Sequence, residues 1–284
     1  MSMKKQTDKH AFFTIDVERF ADTECVYNSG QKVKETMLDG LDRYIDILDK
    51  HNIKATLFVL SDLADEIKDK LKDYIKSGHK IALHGKGHTP PVLISDEQFK
   101  EQIQGAKKKL EDEFNVPVVG YRAPCFSMNR EKLSILEKLG FVYDASRINF
   151  TAARHTEHID MGDFDKLGSE VYKKDDFYEF GVSTQKVFGK QFPVSGGGYI
   201  RVSNWFFASY VLKKYIKNND SYVFYSHPFE LSKEKTPQVR KLKLYDRFYL
   251  KFGKFTYPYK IEYIIKKLKK YGYEFLTFED IIKA

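Results

Sequence analysis

The chain has 284 residues, 42% hydrophobic and 15% aromatic, with 17 glycines and 8 prolines; that supports a buried core and excludes disordered or fibrous material. Its net charge of +8 is spread as lysine, densest at Lys266-Lys267-Leu268-Lys269-Lys270, and no nucleic-acid-binding module accompanies it, so no nucleic-acid partner is expected. No run approaches the ~18 apolar residues of a transmembrane segment, the apolar stretch after His10 is too short for a signal-peptide core, and two cysteines, Cys25 and Cys125, form no disulfide framework; a cytoplasmic protein is expected.

Short β-branched or aromatic runs alternate with amphipathic segments from end to end. A strand is predicted over 11–15, leading into Asp16-Val17-Glu18. Val33, Met37, Leu41, Tyr44, Ile45 and Leu48 then recur at helical spacing. Strands follow over 54–60 and 80–83, the second running into His84-Gly85-Lys86-Gly87-His88. Ser95-Asp96-Glu97-Gln98 reads as a capping box opening a helix to about Phe114. The next strand, 118–121, meets Arg122-Ala123-Pro124; Asn129 can cap a helix that Gly140 ends. After a strand over 141–143, residues 149–174 break the alternation as a polar, irregular segment expected over one end of the fold. His155 and His158 flank Glu157 there, a conceivable second metal site. A strand over 177–182, the glycines of Gly196-Gly197-Gly198-Tyr199, a helix over 205–216 with Ser203 as its cap, a strand over 221–225, a helix over 260–270 and a strand over 274–277 complete the chain. Strands separated by helices imply parallel βαβ units. Seven or eight of them in one chain fit a single-domain, closed or nearly closed α/β barrel.

In such barrels functional groups sit at the C-terminal ends of strands. Asp16, Glu18, His84, Arg122 and His227 all fall there, so residues far apart in sequence would meet on one rim. His84 and His88, four residues apart, present two imidazoles to one side if the segment turns helically, and glycines between them let the loop wrap an ion. One carboxylate of Asp16 and Glu18 would complete a His₂-carboxylate metal set; the other would remain as a general base. Arg122 could hold that base ionised, and the amide of Cys125, after Pro124, is a candidate oxyanion donor. His227 suits a general acid; Glu230 could orient it, take part in substrate binding or sit in solvent. Gly197 and Tyr199 mark a backbone that a ligand or another strand approaches closely, and Arg201 could meet an anionic group on a substrate.

These clusters resemble the polysaccharide deacetylases of the NodB-homology group, carbohydrate esterase family 4. The resemblance runs from about Ala11 to Phe278 and is carried by Gly78-His79-Lys80-Ile81-Ala82-Leu83-His84-Gly85 with His88, followed by Gly120-Tyr121-Arg122-Ala123-Pro124. The runs from Pro193 to Arg201 and Tyr225-Ser226-His227-Pro228-Phe229-Glu230 are similar to a narrower branch found with bacterial exopolysaccharide assembly. The resemblance implies a distorted (β/α)7-type barrel and removal of an N-acetyl group from an amino sugar by metal-activated water. Asp16 would be the base, His84 and His88 metal ligands, Arg122 the tether of the base and His227 the acid. Where many members have two adjacent aspartates, Val17 intervenes here, so the metal carboxylate is expected at Glu18. The cofactor implied is one divalent ion, Zn²⁺ by default with Co²⁺, Ni²⁺ or Fe²⁺ as alternatives. A cytoplasmic location points to a glycan precursor or a nucleotide- or lipid-linked sugar, met in solution or at the inner membrane face; an oligomer is compatible with the sequence. Hydrolysis of another C–N bond, as in a deformylase or cyclic amidase, and a non-catalytic glycan-binding role are the rival expectations.

Overall fold

The computed structural model describes residues 8–149 and 159–283. Its strands are β1 (Lys9–Val17), β2 (Ala55–Leu60), β3 (Lys80–Gly85), β4 (Gly120–Tyr121), β5 (Tyr143–Asp144), β6 (Asp165–Lys166), β7 (Val171–Lys174), β8 (Phe177–Phe180), β9 (Thr184–Val187), β10 (Lys190–Pro193), β11 (Ser221–Phe224) and β12 (Tyr273–Phe275). Its α-helices are α1 (Glu24–Tyr27), α2 (Asp39–Asp49), α3 (Lys68–Lys76), α4 (Asp96–Phe114), α5 (Arg130–Lys138), α6 (Gly197–Val202), α7 (Trp205–Asn218), α8 (Pro228–Leu231), α9 (Leu244–Lys251), α10 (Tyr257–Lys270) and α11 (Phe278–Ile282).

One sheet runs β11-β1-β2-β3-β4-β5-β8-β7-β6, with β12 also on β1. Its pairings are parallel from β11 to β8 and antiparallel beyond. The two ends are joined by side chains instead of a ladder: Val223 N–H donates to Ser183 Oγ at 2.9 Å, Glu170 N–H to Ser221 Oγ at 2.7 Å and Ser169 N–H to Asp220 Oδ1 at 2.7 Å. The result is the expected α/β barrel in an incomplete form.

Period-two alternation sorts the strand residues. On β1, Ala11, Phe13, Ile15 and Val17 pack outward with the apolar faces of α2, α4, α7 and α10. Phe12 points the other way into a cluster with Phe58, Ala82, Tyr143, Phe180, Val223 and Phe278. That aromatic plug fills the barrel interior; the Phe180 and Phe278 rings stack at 4.1 Å. Further along the same inward face the residues turn polar: Thr14 and Asp16 on β1, Glu18 just beyond it, and His84 on β3. The plug therefore forms a dry floor under a polar rim.

The Ser95 capping box is present, Ser95 Oγ accepting from Gln98 N–H at 3.2 Å and Gln98 Oε1 from Ser95 N–H at 3.1 Å, and Asn129 caps α5. Three expectations need correcting. Helix α2 begins at Asp39, after Val33 and Met37, because Met37 adopts a positive φ of 57°. Asn204, not Ser203, caps α7, its Oδ1 accepting from Phe207 N–H at 3.2 Å. Residues 149–174 are not wholly irregular: β6 and β7 extend the sheet, held by antiparallel pairing of β7 with β8. The turn between them lies against the N-terminal ends of β1 and β11, the end opposite the polar rim. His155, Glu157 and His158 lie outside the described residues.

Glu170 in that turn is buried 3.0 Å from Tyr215 Oη, which also stands 2.7 Å from Ser221 O. Burial pushes its carboxyl up to about 8, against the hydrogen bond from Tyr215 and the charge of Arg147. With its carboxyl pushed up to about 8, Glu170 is neutral near pH 7, and its Oε1 still accepts from Tyr215. Its folded pKa lies above the unfolded value of ~4.3, so its contribution is complete below that value and is lost as pH rises through about 8. Glu170→Gln is expected to flatten that decline, read as denaturation midpoint against pH; an unchanged slope would refute a neutral Glu170.

Candidate active site

Strand β1 aims Asp16 at the rim and releases Glu18 one residue past its end. Both are buried, and both line a cavity of about 430 Å³ with His84, His88, Cys125 and His227. Arg122 is fully buried beneath it and donates from Nη1 to Asp16 Oδ1 at 2.8 Å and to Thr14 Oγ1 at 2.7 Å, and from Nε to Ala145 O at 3.0 Å. Its guanidinium stacks 4.1 Å from the Phe58 ring, on the aromatic floor. Asp144 and Ser146 brace this loop: Ser146 Oγ donates to Asp144 Oδ1 at 2.8 Å and accepts from Ala123 N–H at 2.8 Å.

Glu18, His84 and His88 each offer one ligand atom within 4.8 Å of the others. His84 Nδ1 lies 2.9 Å from Arg122 O, which fixes Nδ1 as the donor and leaves Nε2 with its lone pair towards the cluster. His88 Nε2 is 2.7 Å and His84 Nε2 3.8 Å from Glu18 Oε2, yet that buried oxygen receives no properly angled hydrogen bond. Burial alone would raise the Glu18 carboxyl; the charges of His88 and His227 and the proximity of both ring nitrogens hold it well below the usual range. Two imidazoles and an ionised carboxylate converging on one point, with the buried Glu18 Oε2 left without a hydrogen bond, fit a divalent cation.

His227 follows β11 and is half-buried. Its Nδ1 is 3.2 Å from Glu230 Oε2, and its Nε2 faces Asp16 Oδ2 at 3.9 Å. Burial would lower its pKa; the negative charges of Glu18, Glu230 and Asp16 and the Glu230 hydrogen bond raise it to about 9. Cys125 sits at the cavity with φ of 56°. Burial, with the charges of Glu24 and Glu18, pushes its thiol far up, so it stays protonated and is no nucleophile.

The cavity contains seven expected residues: Asp16, Glu18, His84, His88, Cys125, Tyr199 and His227. Gly197, Arg201 and Glu230 do not line the cavity. Gly197 is buried under β11: its N–H donates to Tyr225 O at 2.8 Å, φ is 54°, and a Cβ there would stand 2.6 Å from Tyr225 Oη. The close neighbour is a strand end, not a ligand. Arg201 is fully buried and spent, pairing with Glu230 at 3.0 Å and donating to the carbonyls of Phe252 and Tyr249. Glu230 is likewise buried away from the cavity, between Arg201, Ser226 and His227. Unforeseen on the cavity wall are Phe126, Ile148 and Tyr225 and, from α9, Tyr245, Asp246 and Tyr249. The Tyr-rich run 244–249 carried the only signal for the last three.

A family model described as polysaccharide deacetylase matches residues 28–143, taking in His84, His88 and Arg122, and a domain of unknown function (DUF3473) matches residues 152–281, taking in His227. The chain contains a polysaccharide deacetylase domain. The two matched regions share one continuous sheet, and Asp16 and Glu18 precede the first match. Among relatives, a peptidoglycan deacetylase-like protein (FGM2) of Gibberella zeae is 30% identical over 109 residues, covering 38% of this chain and 32% of its own. A peptidoglycan deacetylase of Helicobacter pylori is 24% identical over 107 residues, covering 38% and 36%. The chain thus spans about a third of the length of these curated relatives. Among solved structures, a candidate polysaccharide deacetylase from Mycobacterium smegmatis superimposes with a TM-score of 0.61 at 19% identity over 99% of this chain and 92% of that one. Puue allantoinase gives 0.60 at 11% identity over 99% and 91%. The deacetylase domain therefore has a fold that also appears under an allantoinase name, and the bond cleaved must be argued from the site.

Proposed function

We propose that this chain is a metal-dependent hydrolase that removes an N-acetyl group from an amino sugar. The observation that carries it is the convergence of Glu18, His84 and His88 beside an Arg122-tethered Asp16, with His227 across the cavity. Glu18, His84 and His88 would hold a divalent cation, Zn²⁺ by default, which would supply Lewis-acid polarisation of the amide carbonyl and a lowered pKa for the attacking water. Asp16, oriented by Arg122 at 2.8 Å, takes the water proton. The Cys125 amide donates to the oxygen on which negative charge develops. His227, protonated and held by Glu230, gives its proton to the departing amine as the C–N bond breaks; acetate and a free amino sugar leave. Tyr199, Tyr245 and Tyr249 on the cavity wall suit the faces of sugar rings.

An N-acetylated glycan precursor or a nucleotide- or lipid-linked sugar, in a bacterial exopolysaccharide pathway, is the substrate class we favour, and the basic chain complements its phosphates. The test is acetate release from such compounds by metal-loaded and chelator-treated protein. Acetate only from the loaded form supports the proposal; formate, or opening of a cyclic amide, would move it to the rival C–N bonds. Since His227 acts protonated, kcat/KM should fall as pH rises through its pKa. That limb should lie below the value near 9 of the metal-free protein, because a cation beside Glu18 offsets the charge that raises it. His227→Gln should remove the limb and slow turnover ~10²–10⁴-fold; a variant that kept the limb would refute the assignment.

A further inference from the structure

On the other side of α9 from the catalytic cavity lies a groove of about 1060 Å³, lined by Trp205, Phe248, Phe252, Phe255, Tyr259 and Tyr263 among others. Apolar side chains in and beside it are open to solvent: Leu244 is 83% exposed, Phe255 85%, Tyr259 67%, and Phe206, next to Trp205, 86%. Contiguous exposure of large aromatics is unusual on a soluble surface and marks an interaction site. The charge on the segment 240–251, which carries α9, is one-sided. Arg240, Lys241, Lys243, Arg247 and Lys251 are all exposed, and its single carboxylate, Asp246, faces the catalytic cavity.

The patch is also fixed in place. Buried Arg201 donates to the carbonyls of Tyr249 and Phe252 at the end of α9. Gly253, at φ of 80°, lies so close to Arg201 O that a Cβ would stand 2.3 Å from it. The loop carrying Phe252 and Phe255 is thereby pinned outward.

We propose that this face docks on an anionic lipid bilayer, Leu244, Phe248, Phe252 and Phe255 entering the interface and the surrounding cations meeting lipid phosphates. Aromatic side chains favour the membrane–water boundary, an amphipathic helix with a basic rim lies in it, and each cation near an anionic surface adds about a fivefold gain in partition. A bilayer explains both halves of the patch, the apolar centre and the one-signed rim. Docking would hold the mouth of the catalytic cavity, which shares α9 as a wall, next to the membrane surface.

The test is flotation of the full chain with vesicles of phosphatidylcholine, with and without phosphatidylglycerol, in low and high salt. No substrate or metal is needed, so the outcome is separable from the proposed chemistry. Partition should require phosphatidylglycerol and weaken with salt. Leu244→Ser/Phe255→Ser should reduce it about tenfold or more with an unchanged melting temperature, and Lys243→Gln/Lys251→Gln by ~20-fold. No partition, equal partition into neutral vesicles, or binding unaffected by the serine variant would overturn the proposal. So would a vesicle-free dimer abolished by the same serines, which would assign the face to a second copy of the chain.

Discussion

Asp16→Asn is expected to bind a divalent ion as well as the parent while turning over ~10³-fold more slowly, within the range for loss of a general base. Asp16 is not part of the Glu18, His84 and His88 cluster; its Oδ1 is engaged by Arg122 and its Oδ2 looks across the cavity to His227. Asparagine keeps the size and can still accept from Arg122, but it has no basic oxygen for the water proton. It also leaves the buried guanidinium without a counter-charge, which costs up to ~3–5 kcal/mol. A lower melting temperature should therefore accompany the lost turnover, with metal content unchanged. Full turnover in a metal-loaded Asp16→Asn protein would refute the base assignment.

Glu18→Gln is expected to do the reverse and weaken the ion itself. Glu18 supplies the only negative charge in the three-residue cluster, and Oε2 receives no well-aligned hydrogen bond that an amide could replace. Loss of affinity should exceed the ~10–100-fold typical of removing a residue behind a ligand, with turnover falling in parallel and partly restored at high metal concentration. A second readout is independent of activity. In metal-free protein the Glu18 charge is the first of the influences raising His227, so its imidazole, followed by NMR, should titrate lower in Glu18→Gln. Parental metal affinity would transfer the ligand role away from Glu18.

The rim was legible in the sequence because strand ends carry their signal locally. Asp16, Glu18, His84, Arg122 and His227 each follow a short apolar run, and a parallel barrel forces such ends to one side. The family resemblance then supplied roles that spacing alone left open, above all the choice between Asp16 and Glu18. Legibility failed where partners are distant in sequence and polar. Nothing local shows that Arg201 turns inward to Glu230 and the carbonyls of Tyr249 and Phe252, so its charge suggested a substrate contact. The glycines around Gly197 signalled a close approach, but only the fold identifies Tyr225 as what approaches. Strands β6 and β9 have polar sequences, Asp165–Lys166 and Thr184–Val187, whose pairing is set by their neighbours rather than by an apolar pattern.

The central claim is that Glu18, and not Asp16, takes the metal while Asp16 stays free. Anomalous X-ray diffraction at the zinc edge on crystals of the loaded protein tests it most directly. The account predicts one peak bounded by a Glu18 carboxylate oxygen, His84 Nε2 and His88 Nε2, with Asp16 turned to Arg122 and off the ion. A peak ligated by Asp16, or one away from these three residues, would contradict it.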